Sequence, residues 1–144
     1  MIKKVSIPSK ETVVSAIEIY LKINLLPVSG KKVFYSGNQN KNKEIIVCTP
    51  QSKLHATGFG WIDITTKQAA MLENTDTGIL AFRLEGNKVY YIHFKNLKKY
   101  LIEDALINNN REGDHWKLRI WPDNIQVIGN SARLQIHPNN ITDI

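Results

Sequence analysis

VCTPQSKLHATGFGWIDITTKQ, residues 47–68, decides how this chain is put together. It opens on the end of an apolar run, Ile45-Ile46-Val47-Cys48, and turns polar and basic from Gln51 to His55. It then loosens at Gly58 and Gly60 and sets Phe59 beside Trp61. From Trp61 the stretch WIDIT alternates, the two-residue period of a strand with one buried face. Thr65 or Thr66 can accept a backbone N–H and start a helix through about Asn74, with Ala69, Ala70, Met71 and Leu72 available to a core. The order is therefore strand, loop, strand, helix, with residues 50–60 as the loop.

Upstream, Ser9 is a plausible cap for an amphipathic helix over residues 10–24, where Val13, Val14, Ile17, Tyr20 and Leu21 fall at helical spacing. Pro27, Ser29 and Gly30 end it. Residues 31–36 (KKVFYS) read as a strand, 37–43 as a polar turn, and 44–49 (EIIVCT) as a strand buried on both faces. Downstream, residues 78–84 and 88–94 flank Glu85-Gly86-Asn87, where Gly86 and Asn87 suit a hairpin turn. Leu97, Tyr100, Leu101 and Ala105 mark a further helix. HWKLRI and NIQVIG surround a turn at Trp121-Pro122-Asp123-Asn124, and a short edge strand is expected near residues 132–136. The expectation is one domain over residues 1–144 of the mixed α/β class, in the order αβββαββαββ. It has a single mixed sheet flanked by helices, a core of about residues 10–107, and a C-terminal hairpin extension of about 114–137.

The chain has 144 residues, 42% hydrophobic and 22% charged, enough to fold without disulfide or metal staples. Cys48 is the only cysteine, so no internal disulfide and no zinc cluster is expected, and its apolar setting makes it a buried thiol. His55, His93, His115 and His137 are scattered, with no helical pair to hold a metal. Gly58 and Gly60 lack the context of a phosphate-binding loop, so no nucleotide cofactor is implied. No apolar run approaches the roughly 18 residues of a membrane span, and the N-terminus has no apolar stretch of a secretory signal. The expectation is a cytoplasmic protein with no membrane partner.

The formal charge is +6, and its distribution is uneven. Residues 1–60 hold nine lysines against three glutamates, whereas residues 61–144 balance ten basic with ten acidic side chains. A basic excess of this kind suits a polyanion, and nucleic acid is the expected partner, DNA ahead of RNA. The candidate contacts are Lys31, Lys32, Lys41, Lys43 and Lys53 for phosphates, with His55 and Phe59 beside them. Phe59 has two readings, an inward-packing ring or a base stacker; Trp61 is expected in the core. Alternation puts Tyr90 and Tyr91 on opposite faces of their strand, so one should point away from the core. An apolar C-terminal sheet edge could pair with a second copy, making a homodimer, or with another protein.

The element order over roughly residues 10–84, with the passage from Trp61 through Thr66-Lys67-Gln68 to Ile79-Leu80-Ala81-Phe82, resembles the core of the restriction-endonuclease-like, or PD-(D/E)XK, nuclease superfamily. The resemblance implies an aspartate on one strand and Glu or Gln, any residue, then Lys on the next, around a divalent metal such as Mg²⁺. Gln51-Ser52-Lys53 matches the second half, and no aspartate precedes Asp63. The leading expectation is therefore a nucleic-acid-binding domain with a degenerate or displaced catalytic site. The alternative is an active Mg²⁺-dependent endonuclease using Asp63, Lys53, Gln51 and Lys67, with Asp63, Glu44 and Glu18 on the metal. A third is a protein-interaction accessory factor of a mobile element or defence system.

Overall fold

A computed structural model of the chain describes residues 6–40, 42–55 and 58–139. Helix α1 (Lys10–Leu21) starts where the Ser9 hydroxyl accepts the Thr12 N–H at 3.1 Å. It stops three residues short of the expected end, at Lys22, which adopts a left-handed conformation with φ 57°. The Glu18 carboxylate accepts the Leu25 N–H at 2.9 Å and fixes the chain reversal there.

Strands β1 (Leu26–Pro27), β2 (Phe34–Gln39), β3 (Lys43–Cys48), β4 (Gln51–Ser52) and β5 (Gly60–Thr65) follow. Helix α2 (Thr66–Glu73) begins with a reciprocal cap: Thr65 Oγ1 accepts from Gln68 N, and Gln68 Oε1 accepts from Thr65 N. After it come β6 (Thr77–Leu84), β7 (Lys88–His93), α3 (Phe94–Lys98), β8 (His115–Trp121), β9 (Asn124–Val127) and β10 (Arg133–Gln135). The β6–β7 hairpin turns through Gly86 and Asn87, both at positive φ, as their conformational freedom suggests.

The helix expected around residues 97–105 is instead α3 and a separate 3₁₀ turn at Glu103–Ala105. Side chains occupy the carbonyls that a continuing helix would use: Asn130 Nδ2 donates to Tyr100 O and Trp116 Nε1 to Ile102 O.

The fold class is mixed α/β, but the strands form two sheets rather than one. In the larger, β1, β2 and β3 run antiparallel, β3 lies parallel to β6, and β7 is antiparallel to β6 on its other side. β4 continues the line of β3 along β6, pairing Gln51 with Arg83 and Ser52 with Leu84. The break between them falls at Thr49-Pro50, because proline brings no N–H to a ladder. Only its carbonyl is used, accepting from Arg83 N at 3.0 Å. The smaller sheet is antiparallel throughout, in the order β10, β9, β8, β5. With the two-residue strands β1 and β4 set aside, the αβββαβ order is present, while its third strand, β5, lies outside the sheet that holds β3 and β6.

The second sheet exists because the first has two apolar faces. On one side Tyr35, Ile45, Val47, Ile79, Ala81 and Val89 pack against Val13, Val14 and Ile17 of α1. On the other, Phe34, Ile46, Cys48, Leu80, Phe82 and Tyr90 meet Ile62, Ile64, Leu118, Ile120, Ile125 and Val127 of the small sheet. The molecule is layered as helix, large sheet, small sheet. This corrects the expectation that Tyr90 or Tyr91 would leave the core: Tyr90 is buried between the sheets, and Tyr91 is half-buried on the helix side, edge-on to Tyr20. The C-terminal hairpin likewise builds the covering sheet instead of extending the first. No helix among the described residues is long and apolar enough to cross a membrane.

Candidate nucleic-acid interface

With Ile62 and Ile64 turned toward the large sheet, alternation turns Trp61, Asp63 and Thr65 outward. On β8 it does the same for Lys117, Arg119 and Trp121. Register then places these side chains in rows across the sheet. Trp61 is opposite Arg119, Arg119 opposite Gln126, and Gln126 opposite Arg133. The next row holds Trp121, Asn124 and Gln135, and Asp63 faces Lys117 on the other side. At strand spacings of about 4.8 Å, a four-strand row is roughly 14 Å wide.

β5 approaches this position through a close contact at Gly60. A Cβ there would fall 2.4 Å from Leu84 Cδ2, so any other residue would force the Leu84 side chain to move where the strand passes the end of β6. Just before it, Leu54 bridges Gly60, His55 N donates to Phe59 O at 2.9 Å, and Gly58 N donates to His55 O at 2.8 Å. These bonds bring His55 and Phe59 together, with ring centroids 5.2 Å apart and an interplanar angle of 26°.

The result is an aromatic cluster with cations laid on it. Phe59 lies 4.9 Å from Trp121 and 6.0 Å from Trp61, centroid to centroid. The Arg119 guanidinium carbon is 5.0 Å from the Phe59 ring and 5.3 Å from that of Trp61. Lys117 Nζ is 5.4 Å from Trp61 and 3.5 Å from the Asp63 carboxylate. Such cation–ring contacts contribute about 0.5–1 kcal/mol each at exposed sites, enough to hold a guanidinium in place. Arg119 Nε is nevertheless buried with no hydrogen-bond partner. Trp121 Nε1 donates to Gln126 Oε1 at 3.0 Å, which fixes that amide and leaves its NH₂ as a donor.

The residues singled out from sequence are distributed unequally. His55 and Phe59 join the cluster, and Lys53 stands at its margin, one residue before the Leu54 bridge. Lys31 and Lys32 lie in the β1–β2 connection, at the end of the large sheet where β4 finishes. Lys43 begins β3 at the opposite end, the length of β2 away, on the order of 20 Å. Lys41 lies outside the described residues. The lysine-rich first part of the chain therefore does not make one continuous face. Trp61, expected in the core, is half-buried on the outer face beneath two cations.

The acidic set is dispersed. Glu18 is on α1 and caps Leu25; the Glu44 backbone is held by Thr75 and Asp76; Asp63 faces outward and pairs with Lys117. Packed sheets sit about 10 Å apart, so a carboxylate on α1 and one on the outer face of the small sheet cannot share an ion. Gln51 Oε1 accepts from Arg83 at 3.2 Å, and Lys67 is exposed on the first turn of α2. Among the described residues no three His, Cys, Asp or Glu side chains converge as a metal site. The Gln51, Lys53, Asp63 and Lys67 constellation is not assembled around one point.

Lys117, Arg119, Gln126 and Arg133 carry no expectation from the sequence, and Trp121 figures there as the first residue of a turn. Their signal was the alternation in HWKLRIW, which puts Lys117, Arg119 and Trp121 on one side of a strand. A separate cleft of about 350 Å³ lies between α2 and α3, lined by Glu73, Asp76, His93, Lys95 and Lys98. Glu73 and Lys98 form an exposed ion pair there. His93 has its pKa lowered, first by burial and then by Lys95. Comparison with protein-family models, curated proteins and solved structures gives no significant match to this chain.

Proposed function

We propose that this domain binds nucleic acid, and that the outer face of the small sheet is its contact surface. The observation that carries the reading is Arg119: a guanidinium held against two rings on the outer sheet face, with no carboxylate beside it among the described residues. Arg133 shares its row and likewise has no acidic partner among the described residues, while the Asp63 charge is offset by Lys117. Positively charged, aromatic-bearing faces suit phosphates through charge and bases through ring contact. The net charge of +6 favours a polyanion at any approach. Binding without cleavage is the reading favoured, because the carboxylates that a metal-dependent nuclease needs are spread over different layers.

The test is a salt titration of oligonucleotide affinity. Binding should weaken linearly in log–log form, with a slope set by the phosphates neutralised. Arg119→Gln together with Arg133→Gln should shrink that slope by roughly 1 to 2 and cost about tenfold or more in affinity at low salt. Lys43→Gln, at the far end of the large sheet, should change affinity less than twofold. An unchanged slope in the double arginine variant would reject this surface.

A further inference from the structure

Resting on that reading, we infer that the ligand is a single-stranded polynucleotide, DNA or RNA, with one base stacked on Trp121 and its flanking phosphates on Arg119 and Arg133. The rings of the cluster are not equivalent. Trp61 is already covered by Lys117 and Arg119, and Phe59 lies between His55 and Arg119. Among the described residues Trp121 carries no cation, and its only ring contact there is with Phe59, tilted at 46°. It ends β8, half-buried, next to Pro122.

Two amides lie beside this ring, that of Gln126 with its NH₂ still to donate and that of Asn124, whose Nδ2 donates to Asp123 Oδ1 at 2.7 Å. The Gln126 amide is fixed by Trp121 Nε1 itself, and Asn124 lies opposite Trp121 on β9. Asn124 Oδ1 in turn accepts from Arg133 Nη1 at 3.4 Å. Amide groups can pair with the Watson–Crick edge of a base only when that edge is free. The surface is a sheet face, without a helix projecting from it into a groove. In a duplex both faces of each base are covered by neighbours, so the Trp121 ring would find no base to stack on, and the amides alone would be left to read groove edges. In a single strand every base offers a face, and stacking on an aromatic ring tolerates any sequence.

The experiment measures wild-type affinity, by fluorescence anisotropy at one salt concentration, for four probes of equal length. These are an oligo-dT strand, an oligo-rU strand, a mixed-sequence duplex and an abasic deoxyribose strand. Oligo-dT or oligo-rU should bind at least about tenfold tighter than the duplex and the abasic strand. Trp121→Leu should weaken the favoured strand by about 5- to 100-fold, the span of one base–aromatic stack, without altering the salt slope. Trp121→Phe should fall between, and thermal melts of both variants check that the fold survives. Equal binding of base-bearing, abasic and duplex probes overturns the single-strand inference and leaves the polyanion reading standing. Loss of the salt slope in Trp121→Leu does the same. No binding of any probe at low salt removes both.

Discussion

Arg83 shows how a charge can be kept inside this fold without a direct ion pair among the described residues. It is 5% exposed on the central strand β6. Its Nε donates to Thr49 O and Thr49 Oγ1, each at 3.0 Å, and Nη2 donates to Thr49 O at 2.8 Å. Nη1 donates to Pro8 O at 3.1 Å and to Gln51 Oε1 at 3.2 Å. Burial lowers its pKa, opposed chiefly by the charge of Glu11. The side chain thus fills the break that Pro50 makes between β3 and β4 and ties the segment before α1 to it. Arg83→Met would leave those oxygens without donors, at a cost of about 2–4 kcal/mol. Arg83→Lys should recover only part, because an ammonium cannot reach four acceptors spread over three separated residues. Urea midpoints of the three proteins check this, and equal midpoints would contradict it. None of this was legible in GILAFRL, where one arginine in an apolar run gives no sign of acceptors 34 residues back. That Phe59 and His55 would lie close together was legible, since both fall in one short connection between strands. Arg119 was not, because its value comes from rings on another strand.

At the level of elements, local chemistry and contact at a distance separate cleanly. The start of α2 could be read from Thr65 and Gln68 alone, since the cap is made within four residues. The interruption after α3 could not, because Trp116 and Asn130 cause it from elsewhere in the chain. Gly60 belongs to the second kind: nothing in GFGW shows that Leu84 stands against it. Gly60→Ala should overpack that contact and cost about 1–3 kcal/mol, read as a lowered thermal midpoint. Leu84→Ala alone opens a cavity, and the double variant should be more stable than the summed losses, because the new methyl enters the vacated space. Simple additivity in that cycle would show that the two residues do not meet. Since β5 carries Trp61 to its place, Gly60→Ala should also weaken oligonucleotide binding.

For the molecule as a whole, the order of elements was legible and their allocation to sheets was not. Alternation tells which residues of a strand share a side, but not what will cover that side. Here both sides of the large sheet are apolar, so β5 is drawn into a separate covering sheet with β8, β9 and β10. The same lack of long-range information made the lysine-rich first part of the chain look like one face, whereas Lys31 and Lys32 lie at one end of the large sheet and Lys43 at the other. Global stability should also carry a histidine signature. His93, near Lys95 and Lys98 and the carboxylates of Glu73 and Asp76, has a folded pKa below its ordinary 6.5. Below that value the unfolded chain takes up the proton more readily, so this contribution is full above about pH 6.5 and fades as pH falls through the folded value. Urea midpoints at about pH 7.5 and about pH 5 should therefore converge in His93→Gln relative to wild type. An identical pH response in both proteins would assign the acid sensitivity elsewhere.

The covering sheet divides its labour residue by residue: Ile62, Leu118, Ile120 and Val127 seal the interior, while the neighbours between them meet the outside. Like movable type on a locked bed, the outer set can be exchanged character by character while the bed stays fixed. A library varied at Trp61, Arg119, Trp121, Gln126 and Arg133 would thus sample new specificities on one unchanged scaffold.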